Sequence, residues 1–224
     1  MHGAGSRSSS SVMAQPHAAE DWAGSHLANT FSPELRFLLA CCVWPHSEAR
    51  EQQLSRALQT DLDWTHVLRL TERHRVFGLV FDGLSHLLKD AVPEHVVKSV
   101  RETTALLTRQ TLEMASESVR IARLMEGAEI PVAFLKGVPL AITVYGGLGL
   151  RHSRDIDLLV PEKAALVACR TLMSAGYVGA TPLERISTDP KLRRWLRDNK
   201  HIEYVHKNSG IQGNFMSACF PTPC

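Results

Sequence analysis

Nowhere does the chain hold the roughly 18 consecutive apolar residues that a membrane-spanning helix requires, so no membrane is expected among its partners. An excess of one charge is missing too. Its 25 Lys and Arg stand against 23 Asp and Glu, and the formal charge of +2 is too balanced to point to a nucleic-acid binder by bulk electrostatics. Cysteine is scarce: the five residues, at positions 41, 42, 169, 219 and 224, show neither CxxC spacing nor a secreted disulfide framework. A reducing, cytoplasmic setting is the expectation. Cys41 and Cys42 lie in the apolar run 37–44, where structural thiols are expected rather than metal ligands. His152, His201 and His206 show no i, i+4 pairing beside a cysteine or glutamate set, so they too are expected to be surface or core residues. Residues 1–28, rich in Ser, Gly, Ala and His, lack the apolar stretch of a secretory signal and read as a disordered tail.

What is present falls into two textures. Residues 29–127 read as a helical region. Ser32 stands as N-cap before Pro33 and Glu34, Ser47 precedes a second helix, and Asp63 caps a third that carries Trp64, Val67 and Leu68 at helical spacing. Residues 76–88 continue the pattern. The segment 93–125 contains no internal proline or glycine and reads as one long amphipathic helix closing near Gly127. Arg69, Arg73, His74 and Arg75 form a basic cluster, which on such a helix is expected to be a solvated face.

From 128 to 212 the pattern alternates. Residues 130–135 read as a strand, 138–145 as a short helix, Gly146, Gly147 and Gly149 as a flexible loop, and 155–160 as a second strand. A further helix from Pro161 to Leu172, stopped at Gly176, leads to a short strand at Tyr177, a helix over 191–199 and a strand over 201–206. Residues 213–224 lose periodicity and end with two prolines in the last four positions. Such an ending is not expected to complete a sheet.

The chemistry concentrates in Arg151-His152-Ser153-Arg154-Asp155-Ile156-Asp157-Leu158-Leu159-Val160. On a strand Asp155 and Asp157 share one face while Ile156, Leu158 and Val160 fill the other. Two carboxylates roughly 7 Å apart at Cα repel unless a cation lies between them. Hard oxygen ligands of this kind suit Mg²⁺, which takes one or two protein carboxylates and completes its shell with phosphate and water.

The stretch Phe134-Leu135-Lys136-Gly137-Val138-Pro139-Leu140-Ala141, followed by Tyr145-Gly146, Arg151 and Asp155-Ile156-Asp157, resembles the core signature of an uncharacterised bacterial nucleotidyltransferase family of the DNA polymerase β-like superfamily. Leu62-Asp63-Trp64, His74-Arg75-Val76 and Gly78-Leu79 are similar to that family's helical region, as is Ala175-Gly176-Tyr177 to its core. The resemblance covers most of residues 32–212. It implies an α+β fold, a helical region followed by a small mixed sheet. It also implies transfer of an NMP from an NTP to an acceptor hydroxyl that the sequence does not identify: a small molecule, a protein or an RNA.

In that scheme Asp155 and Asp157 are both catalytic and the ligands of Mg²⁺ or Mn²⁺. Lys136 and Gly137, at a helix start, cradle the triphosphate together with Arg151, Ser153 and Arg154. The superfamily also places a third carboxylate on a neighbouring strand. In this family it is expected within an acidic-Leu-His-Trp segment, where this chain reads Gly213-Asn214-Phe215-Met216-Ser217. Glu203 is the last acid in the sequence, and it reads more readily as a surface position than as a substitute. The chain therefore looks like a truncated or frame-shifted relative, its activity impaired or replaced by a catalytically inactive nucleotide- or protein-binding role.

Overall fold

The computed structural model describes residues 30–87, 91–179, 189–198 and 201–218. The tail expected over 1–28 lies outside the described residues. Among the described residues four short helices come first: α1 (Pro33–Cys41), α2 (Glu48–Ala57), α3 (Trp64–His74) and α4 (Phe77–Ser85). Their starts follow local capping chemistry. Ser32 Oγ accepts from the Leu35 N–H, Ser47 Oγ from the Arg50 N–H, and Asp63 Oδ1 from the His66 N–H. These helices bury Phe37, Leu38, Leu54, Val67 and Val80 in one apolar cluster.

That cluster also holds a charge. Arg50 is 0% exposed, and its guanidinium donates to Asp82 Oδ2 at 2.6 Å and to the Cys41 carbonyl at 2.9 Å. A buried cation paired in this way fixes the arrangement of α1, α2 and α4. Cys41 beside it is fully buried, and desolvation pushes its thiol well above the ordinary range.

The helix α5 (Glu94–Gly127) has 34 residues and spans about 51 Å at 1.5 Å per residue. Its first half gives Val96 and Val100 to the helical cluster, and its second half gives Ile121 and Met125 to the core beneath the sheet. Between these halves three threonines at i, i+4 and i+7 reach out. Thr104 Oγ1 donates to the Phe77 carbonyl, Thr108 Oγ1 bonds His152 Nε2, and Thr111 Oγ1 accepts from the Ser153 N–H. One helix thus holds both the start of α4 and the loop before the aspartates.

The sheet contains β1 (Ala133–Leu135), β2 (Asp155–Pro161), β3 (Tyr177–Gly179), β4 (His201–His206) and β5 (Gln212–Ala218), in the order β1-β2-β5-β4-β3. Among the described residues only the β2–β5 pair is parallel, so the sheet is mixed and the protein is α+β. Helix α6 (Gly137–Tyr145) links β1 to β2. Helices α7 (Ala165–Ser174) and α8 (Asp189–Asp198) pack with the second half of α5 on the face carrying Ile156, Leu158, Ile202, Tyr204 and Phe215. At the far edge Tyr177 donates its hydroxyl to Glu117 of α5, and Arg120 holds Glu117 through two bonds of 2.9 and 2.8 Å.

One expectation is overturned. Residues 212–218 do complete the sheet, as β5, and β5 is its central strand. Glycine, asparagine and serine give this segment little strand preference of its own. Pairing on both sides supplies what propensity does not. Phe215 is 2% exposed in the core, and the Tyr204 ring lies against Gly213, where an added Cβ would meet ring atoms at 2.3–2.6 Å.

The helical layer is seated on the sheet unit through backbone contact. A Cβ on Gly78 of α4 would lie 2.3 Å from the Gly149 carbonyl oxygen and 2.6 Å from that of Leu150. Neither backbone can step aside cheaply. Gly78→Ala is expected to cost about 1–3 kcal/mol, seen as a lower urea midpoint at unchanged slope. Trp44 adds a second tie, donating Nε1–H to the Val144 carbonyl at 3.1 Å.

Candidate functional site

The site begins at a sharp turn. After β1, Lys136 (φ 31°) and Gly137 (φ 57°) both take positive φ, and α6 then runs on without a side-chain cap. Glycine alone adopts such backbone readily. A Cβ at Gly137 would also lie 2.8 Å from Ser153 Oγ, so the turn is pressed against the loop that leads into β2. The first N–H groups of α6 have no side-chain partner and are open to an acceptor.

Within that loop Ser153 is engaged in structure. Its hydroxyl donates to the Asp155 carbonyl at 2.8 Å and its N–H to Thr111 Oγ1 at 3.4 Å. His152 is half-buried against α5, and burial pulls its pKa below the ordinary imidazole range. Its Nε2 is tied to Thr108 Oγ1 at 3.3 Å, so it packs the loop against α5.

Asp155 and Asp157 project from one face of β2, and Asn214 comes between them. Paired with Asp157 across β2 and β5, Asn214 donates through Nδ2 to Asp155 Oδ2 at 2.8 Å and to Asp157 Oδ1 at 3.1 Å. One neutral amide bridges two carboxylates that otherwise repel. On the other side Lys136 Nζ stands 3.0 Å from Asp157 Oδ2. The buried Oδ2 thus has a cation in direct contact. Direct contact with that carboxylate raises the Lys136 pKa above its ordinary value.

Glu203 lies in the same row, opposite Asn214 on β4. It is exposed, and Asn214 on β5 stands between it and Asp157. Among the described residues no group of three or more His, Cys, Asp or Glu is placed to hold a metal. Within the segment 213–217, where the family resemblance implies a third carboxylate, the residue opposite Asp157 is Asn214. A divalent ion still suits the donors that remain. Two carboxylates share a face, and the Asn214 amide presents Oδ1 in place of Nδ2 on turning over.

A cavity of about 610 Å³ opens beside this row, between the helical layer and the sheet unit. Lys136, Gly137, Arg151, Ser153, Arg154 and Asp155 line it from the sheet side, whereas Asp157 lies beneath the surface at 3% exposure. Glu72, His74 and Arg75, at the end of α3, line it from the helical side. Four full cations therefore face two carboxylates. Among the described residues Arg75, Arg151 and Arg154 carry no ion pair. The Nε atom of Arg151 is buried without a hydrogen-bond partner. Unspent guanidinium groups around a cavity suit a ligand with several negative charges.

Sequence reasoning missed Asn214 and the His74–Arg75 wall. Asn214 lies within the segment 213–217 where an acid is expected, but a neutral amide carries no motif that singles it out. Nothing in the sequence reports that α3 ends with Arg75 in left-handed backbone at φ 58°.

Paired aspartates on an inner strand, a lysine–glycine helix start and a cationic cavity thus lie side by side. Residues 60–216 match a family model described as uncharacterised nucleotidyltransferase, and the chain belongs to that family. No curated protein and no solved structure matches it. The match runs through Met216 and so includes most of β5.

Proposed function

We propose that this chain transfers an NMP from an NTP to an acceptor hydroxyl, at a rate held down by Asn214. The observation that carries the reading is the Asp155–Asp157 face beside a cavity rich in unpaired cations. Asp155 and Asp157 would hold Mg²⁺ or Mn²⁺, with Asn214 Oδ1 available as a third, neutral donor. Bound there, the ion supplies charge neutralisation and polarises the α-phosphate.

The chain's own groups do the rest. Lys136 and the open N–H groups at Gly137 receive phosphate oxygens. Arg151 and Arg154 offset the charge that accumulates on the departing pyrophosphate. Ser153 keeps the loop closed on Asp155 and so positions both aspartates. No carboxylate on β5 accepts the proton of the attacking hydroxyl, a function that general bases typically serve to the extent of 10²–10⁴-fold in rate.

The free thiols of Cys41, Cys42 and Cys169 support a reducing, cytoplasmic setting. No helix among the described residues is long and apolar enough to cross a membrane. The acceptor, whether small molecule, protein or RNA, is left to experiment.

The Asn214 bridge favours a second reading, a module that binds nucleotide without turning it over. Incubation with each of the four α-labelled NTPs, Mg²⁺ and cell extract separates the two. Label on an acceptor with release of pyrophosphate supports transfer. Saturable binding without label transfer supports the silent module, and absence of binding for all four nucleotides overturns both.

A further inference from the structure

The helical layer brings to the cavity one residue whose backbone is unfavourable and whose charge is unspent. Arg75 closes α3 in the left-handed region at φ 58°, a place usually taken by glycine or asparagine. Its N–H returns to the Glu72 and Thr71 carbonyls, which locks the backbone, and its side chain lines the same cavity as Lys136, Arg151 and Arg154. It has no ion-pair partner among the described residues. Three residues later Gly78 packs directly on the Gly149 and Leu150 backbone, so Arg75 is held at a fixed place relative to the sheet unit. A conformation that disfavours side chains, occupied by a long cation at a cavity wall, points to a role for that cation.

We propose that Arg75 is a phosphate ligand supplied by the helical layer. It grips the outer phosphates of the triphosphate, so that the substrate bridges the helices and the sheet. For the nucleotide this rests on the function proposed above; for the anion it does not, because inorganic tripolyphosphate carries the same charges without base or sugar. The Arg75→Gly variant separates backbone from charge, since glycine accepts φ 58° without strain while the guanidinium is lost.

Titration calorimetry of wild type and Arg75→Gly with Mg²⁺-ATP and with inorganic tripolyphosphate provides the test. The variant is expected to melt at or above the wild-type temperature and yet to bind both ligands at least about tenfold more weakly, the loss of one charge-assisted hydrogen bond. Should it melt lower, Arg75→Asn, which also tolerates left-handed backbone, provides the same comparison. Tripolyphosphate affinity within twofold of wild type in a folded variant overturns the assignment. Arg75-dependent tripolyphosphate binding with no binding of any NTP supports the phosphate contact and counts against the nucleotide reading alone.

Discussion

Asp157→Asn is expected to lower nucleotidyl transfer by about three orders of magnitude, in line with removal of one member of a catalytic unit, and to abolish the dependence of nucleotide affinity on Mg²⁺. The substitution keeps the shape of a side chain that is 3% exposed and an oxygen able to face Asn214. What it removes is the charge. Lys136 loses its ion pair, but its side chain is 58% exposed, so water takes up the freed ammonium and the fold survives. The Lys136 pKa falls back toward its ordinary value because the contact that raises it is gone. Single-turnover transfer and calorimetry with and without Mg²⁺ check the two parts separately. Wild-type behaviour in both would remove Asp157 from the site.

Asn214→Asp is expected to act in the opposite direction, raising transfer about a hundredfold or more by restoring a proton acceptor beside the pair. The change is one of charge at nearly constant volume. Where the amide now donates to Asp155 and Asp157 at 2.8 and 3.1 Å, a third carboxylate would repel both. The metal-free variant should therefore melt below wild type, and Mg²⁺ or Mn²⁺ should recover the difference, since an ion that binds only the folded state stabilises it by mass action. Thermal melts across a metal series read this directly. A variant that melts as wild type does and ignores metal would show that Asn214 does not stand at a ligand position.

The aspartates were legible because their alternation with Ile156, Leu158 and Val160 is a local, period-two signal that strand geometry enforces. The caps at Ser32, Ser47 and Asp63 and the uninterrupted run of α5 were legible for the same reason: each is set within a few residues. The central strand was not. Gly213, Asn214 and Ser217 are poor strand formers, and β5 exists because β2 and β4 pair with it and the Tyr204 ring covers Gly213. The basic cluster of α3 is exposed, as its sequence implies, but that its end also lines a cavity depends on where Gly78 seats α4 against the sheet unit. That contact is 71 residues distant in sequence from Gly149, and no local pattern carries it.

The reading as a whole turns on whether Asp155 and Asp157 share a metal ion in the presence of nucleotide. Crystals soaked with Mn²⁺ and a non-hydrolysable NTP answer this through anomalous scattering. The account predicts one or two Mn²⁺ peaks bridging both carboxylates to phosphate, with the Asn214 amide turned to present Oδ1. Nucleotide density with no Mn²⁺ peak, and Asn214 Nδ2 still between the two aspartates, would contradict it.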